Sequence, residues 1–160
     1  MCKYVHNKLS KFKLGRILKF MNNIQILIKN AFEAQENCYT PYSHFNVGAA
    51  LLGKDGNIYK GCNIENASYT PTNCAERTAF FKAISEGQKE FDAIAIVGNK
   101  EGEEGEFCSP CGVCRQVMME FCGPKEFKIY LAKDRNNLDN YIEYTLEEIL
   151  PLGFGPANLK

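Results

Sequence analysis

Two short segments of this 160-residue chain carry residues that could do chemistry together. The first is Thr72-Asn-Cys-Ala-Glu-Arg77, with Cys74 and Glu76. The second is Ser109-Pro-Cys-Gly-Val-Cys-Arg-Gln116, with Cys111 and Cys114. Cys111 and Cys114 are three residues apart, so on a helix they share a face and can grip one ion. Cys74 would be a third thiolate, at about 2.3 Å from a zinc ion. Three protein ligands leave one position of a tetrahedral zinc open, the mark of a catalytic site, whereas four close a structural one. An open zinc brings the pKa of water from roughly 15.7 down to about 7. Glu76, two residues beyond Cys74, would then move protons as general base and acid.

Each of these residues also has a plainer reading. Glu76 stands three residues after Asn73, a spacing that suits a capping pair at a helix start. A lone Cys-x-x-Cys can be a redox pair. Cys108, Cys111 and Cys114 are spaced like part of an iron–sulfur run, but Met118 stands where its fourth ligand would be. Cys108 could equally close the zinc as a fourth thiolate. Cys2, Cys38, Cys62 and Cys122 have no partner spacing and read as small core residues or bystanders.

The elements that must position the four residues follow from periodicity. Ile24, Leu27, Ile28, Ala31 and Phe32 recur at helical spacing and predict a helix over 22–36. Strands are expected over 45–52 and 58–62, joined as a hairpin through Lys54-Asp-Gly-Asn57. A helix over 74–86 follows, with Asn73 or Thr72 as its expected cap. Then come a buried strand over 91–97 and a charged loop over 100–105. A helix over 110–121 is expected to be capped by Ser109, with Pro110 in its first turn. Strands over 127–131 and 141–144 complete the sheet. Thr145-Leu-Glu-Glu148 is a capping box that opens a last helical turn before Pro151. Both cysteine segments thus fall at helix starts, where the dipole and free N–H groups favour a thiolate. The order of elements predicts an α/β fold: a three-layer α/β/α sandwich around a mixed sheet of about five strands.

Formal net charge is zero, but it is unevenly placed. Residues 1–20 carry Lys3, Lys8, Lys11, Lys13, Arg16 and Lys19 and no acid. The remaining residues hold 13 basic against 19 acidic side chains, a net of −6. An acidic body repels phosphates, which argues against a nucleic-acid partner. No run of 18 apolar residues suggests a membrane span. Eight cysteines without a secretory signal pattern point to a reducing cytoplasm. Residues 1–20 read either as a basic amphipathic helix or as a dispensable extension. Residues 21–160 read as one domain.

Cys-Ala-Glu followed by Pro-Cys-x-x-Cys is the signature of zinc deaminases. The sequence resembles the small homotetrameric cytidine deaminases over about residues 22–156. The likeness is carried by Tyr39-Thr-Pro-Tyr-Ser-His-Phe-Asn-Val-Gly-Ala-Ala-Leu-Leu52, Gly61-Cys-Asn-Ile-Glu-Asn-Ala-Ser-Tyr69, Cys74-Ala-Glu-Arg-Thr-Ala79, the Pro110–Gln116 run and Leu150-Pro-Leu-Gly-Phe-Gly-Pro156. It departs from the common family pattern at Asn46, often proline, and at Cys108, which is seldom cysteine.

The resemblance implies one Zn²⁺ per subunit on Cys74, Cys111 and Cys114, with Glu76 as catalytic acid and base. Arg77 would donate to the ligand thiolates. Asn63 and Glu65 would hold the ribose, and Phe45 would pack against the nucleoside. The Ala75 backbone and Glu76 would read the amide edge of the base. Tyr69 and Phe154 would enter from a neighbouring subunit of a homotetramer with shared active sites. The plainer readings are loop capping for Asn63 and Glu65, a surface helix position for Arg77 and C-terminal core for Phe154. The implied activity is hydrolytic deamination of cytidine and 2′-deoxycytidine in pyrimidine salvage. A deaminase for another small cytosine substrate, such as blasticidin S, is one alternative. A closed zinc module in an interaction domain is the other.

Overall fold

The computed structural model describes residues 23–160. The expectation of a separate N-terminal extension over 1–20 lies outside the described residues. Five strands form one sheet: β1 (Phe45–Gly53), β2 (Ile58–Cys62), β3 (Phe91–Lys100), β4 (Lys128–Ala132) and β5 (Tyr141–Thr145). Their order is β2-β1-β3-β4-β5. Only β3 and β4 run parallel; every other neighbouring pair is antiparallel. Among the described residues four helices accompany them: α1 (23–35), α2 (Ala75–Ser85), α3 (Gly112–Phe121) and the single-turn α4 (Leu146–Ile149). A 3-10 turn over Pro156–Leu159 ends the chain.

The pleat sorts side chains into two cores, one on each face of the sheet. Leu51, Ile94, Ile96, Ile129 and Leu131 point to the face covered by α2, α3 and α4, against Phe80, Met118 and Leu146. Ala50, Ala93, Ala95, Val97 and Tyr130 point to the other face, against Ile24, Leu27, Ile28, Ala31 and Phe32 of α1. This is the three-layer α/β/α sandwich expected from the element order, with a five-stranded mixed sheet. The small residues on the α1 side let that helix lie close. A Cβ added to Gly48 would fall 2.0 Å from the Ala31 carbonyl oxygen.

The helix that begins at the first cysteine segment is seated in a similar way. A Cβ on Gly61 of β2 would fall 2.4 Å from the Ala75 carbonyl oxygen and 2.4 Å from the Ala79 nitrogen. Both are backbone atoms and cannot swing aside. Gly61→Ala should therefore destabilise the fold by about 1–3 kcal/mol, the usual cost of overpacking. Thermal unfolding of the zinc-loaded protein checks this, with a melting temperature several degrees lower expected.

Most boundaries fall within a residue of the sequence reading, and the differences that matter lie at the end of β3 and at the caps of α2 and α3. β3 runs on to Lys100, because Gly98, Asn99 and Lys100 pair with Val47, Asn46 and Phe45 of β1. These three residues lack the apolar character that marks a strand in sequence, and their backbone pairing alone extends it. The caps of α2 and α3 also shift. Cys74 is the cap of α2 and Cys111 the cap of α3, each in extended conformation and without a side-chain capping bond. Neither Asn73, Thr72 nor Ser109 caps, and Pro110 precedes the helix. Thr72 Oγ1 instead accepts from the Asn66 nitrogen, and Asn73 Nδ2 donates to Thr78 Oγ1. The Thr145–Glu148 capping box is present as expected, with each side chain bonded to the other residue's backbone nitrogen.

Candidate active site

Placing Cys74 and Cys111 at two helix caps brings both segments together. The sulfurs of Cys74, Cys111 and Cys114 all lie within 4.8 Å of one another. Cys74 Sγ is 3.9 Å from Cys111 Sγ, which is 3.6 Å from Cys114 Sγ. A tetrahedral zinc with Zn–S of about 2.3 Å holds its sulfurs about 3.8 Å apart. The two measured separations bracket that value, so the donor set fits zinc in type and in spacing. Cys108 is not among the three converging sulfurs. Among the described residues three thiols converge here and no fourth joins them.

The electrostatics favour charge on Cys74. A hydrogen bond from the Cys114 thiol holds Cys74 down at about 5, with Arg77 assisting against the cost of burial. Cys114, 1% exposed, is pushed up by that same hydrogen bond and by burial. Arg77 Nη2 lies 3.6 Å from Cys74 Sγ and 3.3 Å from the Thr72 carbonyl oxygen. Its Nε is buried without a partner. A buried N–H left unpaired is costly, and a sulfur of higher negative charge would be a natural acceptor for it.

Glu76 is 4% exposed. It is the second residue of α2, one place short of the position a capping box requires, so the capping role does not apply. Burial raises its carboxyl to about 7; its own backbone N–H opposes the rise and the Cys74 charge adds to it. A carboxyl that ionises near neutrality is suited to taking up and giving back protons.

A strand-like segment leads into Cys74 and carries the next residues. Ile64 and Asn73 exchange backbone hydrogen bonds at 2.9 Å, and Glu65 N donates to the Tyr39 carbonyl at 2.8 Å. Asn63 Nδ2 donates to the Phe45 carbonyl and its Oδ1 accepts from Val47 N, both at 2.8 Å. One amide hydrogen and one lone pair remain free for another partner. Glu65 Oε2 accepts from the nitrogens of Tyr42 and Ser43. Phe45 is partly exposed at the start of β1, and Ala75 is fully buried. Tyr69 is 78% exposed and holds a positive φ of 61°, uncommon for a bulky side chain. Phe154 is 59% exposed, so it is not the C-terminal core residue its apolar character allowed.

The family model for the cytidine and deoxycytidylate deaminase zinc-binding region matches residues 21–131. The chain belongs to this deaminase family. It is 52% identical over 130 residues to a cytidine deaminase of Halalkalibacterium halodurans, covering 81% of this chain and 92% of the relative. It is 47% identical over 137 residues to one of Sporosarcina psychrophila, covering 86% and 95%. Among solved structures, the cytidine deaminase of Burkholderia pseudomallei has a TM-score of 0.70 at 43% identity, covering 81% of this chain and 97% of that one. That of Mycobacterium tuberculosis has a TM-score of 0.66 at 38% identity, covering 81% and 95%.

The deaminase also uses residues that sequence reasoning passed over. Arg115 Nε donates to the Pro110 carbonyl at 2.7 Å, and its Nη1 donates to the Ile149 carbonyl at 2.8 Å. This clamp ties the loop before Cys111 to α4. Gln116 Nε2 donates to the Phe154 carbonyl at 2.9 Å and fixes the C-terminal segment on α3. Their adjacency to Cys114 was the available signal, but partners more than 30 residues away cannot be read from spacing.

Proposed function

We propose that this deaminase hydrolyses cytidine and 2′-deoxycytidine to uridine and 2′-deoxyuridine, releasing ammonia. The observation that carries the reading is the convergence of three thiols at zinc spacing beside a buried carboxyl. Cys74, Cys111 and Cys114 would hold one zinc per chain, which when bound supplies the Lewis acidity that makes water reactive at neutral pH. Glu76 takes one proton of the attacking water and delivers it to N3 of the pyrimidine; it then collects the second, from the hydroxyl now on C4, and hands it to the amine as that leaves. One water is consumed, the C4–N bond breaks and one ammonia departs. The Ala75 backbone and Glu76 orient the amide edge of the base, while Phe45 packs on the ring. Asn63 and Glu65 face the ribose with the donor and acceptor capacity they retain.

Tyr69 and Phe154 stand 78% and 59% exposed within the single chain. This supports their entry into a neighbour's pocket within a homotetramer. The acidic body supports a free nucleoside over a polynucleotide as substrate. Among the described residues no helix is long and apolar enough to cross a membrane. The same proposal includes a cytoplasmic role in pyrimidine salvage, which the unpaired thiols of the described residues would suit.

Ammonia release from cytidine, 2′-deoxycytidine and deoxycytidylate, with and without a chelator, tests the proposal. Turnover of both nucleosides that the chelator abolishes is expected. No release from cytidine by zinc-loaded protein would overturn it.

Arg77 carries a separate expectation. Removing its hydrogen bond to Cys74 leaves more charge on the sulfurs and looser orientation of the ligand. Arg77→Leu should weaken zinc retention by about 10–100-fold, the usual scale for a residue that supports a metal ligand. Competition with a chromogenic chelator measures this directly. Unchanged zinc affinity would make Arg77 a surface residue of α2 and no more.

A further inference from the structure

Cys108 lies outside the zinc triad yet beside the site. A Cβ built on Gly98 would fall 2.8 Å from Cys108 Cβ, 2.9 Å from its Sγ and 3.2 Å from Phe45 Cε1. The space left by the absent Gly98 side chain is therefore filled by the Cys108 thiol and the edge of the Phe45 ring. Burial pushes the Cys108 thiol up to about 11, with the charges of Glu76 and Cys74 adding to the rise. It stays a neutral, compact and polarizable group. At Gly98 it sits beside the aromatic ring that packs on the base.

On the deaminase reading above, the amide edge of the pyrimidine is taken by Ala75 and Glu76. The ring atom next to C4 that remains is C5. We propose that Cys108 is a specificity-determining residue, forming with Gly98 and Phe45 the wall that sets how much bulk at C5 the site admits. The substrate class this favours is cytosine nucleosides with a small substituent at C5.

The test compares kcat/KM of the zinc-loaded wild type, Cys108→Ala and Cys108→Ile on cytidine, 5-methylcytidine, 5-bromocytidine and 2′-deoxycytidine. A group of methylene size in a pocket discriminates by about 10–200-fold. Cys108→Ile should lower the ratio of 5-bromocytidine to cytidine by about tenfold or more. Cys108→Ala, which only removes an atom and should fold, should raise it by about threefold or more. The ratio of 2′-deoxycytidine to cytidine should stay within about twofold in both, since general damage would depress all substrates alike. A 5-bromocytidine ratio within twofold of wild type in Cys108→Ala overturns the inference, while wild-type turnover of cytidine leaves the deaminase reading standing. A zinc-loaded wild type that releases no ammonia from cytidine overturns both.

Discussion

Glu76→Ala is expected to keep one zinc per chain and to lose roughly 10²–10⁴-fold in kcat on cytidine, the span that a positioned acid–base group contributes. The carboxyl touches no thiol as a ligand, so metal content should not change. Nor should the fold suffer. Glu76 is 4% exposed and its carboxyl is held near 7 by burial, so the folded chain bears a cost to keep it. Replacing it with a methyl group removes that cost, and the melting temperature should hold or rise. A structural capping residue would behave in the opposite way, with a lower melting temperature and intact turnover. Measuring metal content, kcat and melting temperature on one preparation separates the two. Zinc-replete variant protein with normal turnover would refute the assignment.

The second large effect concerns the metal. Cys114→Ala should reduce bound zinc from one per chain to below about one tenth, and ammonia release should fall with it. The sulfur lost is 1% exposed and 3.6 Å from Cys111 Sγ, and two remaining thiols leave a tetrahedral ion half held. Cys122→Ala is the matched control. It removes another buried thiol, at the opposite end of the same helix and in the same core, outside the converging triad. Both variants lose packing, but only Cys114→Ala should lose metal. Equal zinc in the two, measured after gel filtration, would show that the triad is not the metal site.

Much of this was legible in the residues because the chemistry sits where local rules are strong. The helical spacing of Ile24, Leu27, Ile28, Ala31 and Phe32 outlines α1, and the Asp55-Gly56 turn joins β1 to β2. What escaped depended on the partner. Gly98 and Asn99 carry no strand character of their own and become strand only because Val47 and Asn46 lie opposite. The caps of α2 and α3 moved to the cysteines themselves; at α2, Thr72 is taken by Asn66 in the preceding loop and Asn73 by Thr78 within the helix. Whether Cys108 joined the other sulfurs could not be read from spacing. β3 and the loop after it seat Cys108 against Gly98, so it is not one of the converging sulfurs.

α3 begins with Cys111 at its cap and Cys114 within its first turn, and two residues later Gln116 grips the carbonyl of Phe154. On the proposed assembly that aromatic serves the adjoining copy. One rod of ten residues then has a hand in two reaction chambers at once. A copy starved of metal would therefore blunt its neighbour as well as itself, and partly loaded protein would work less well than its ion count suggests.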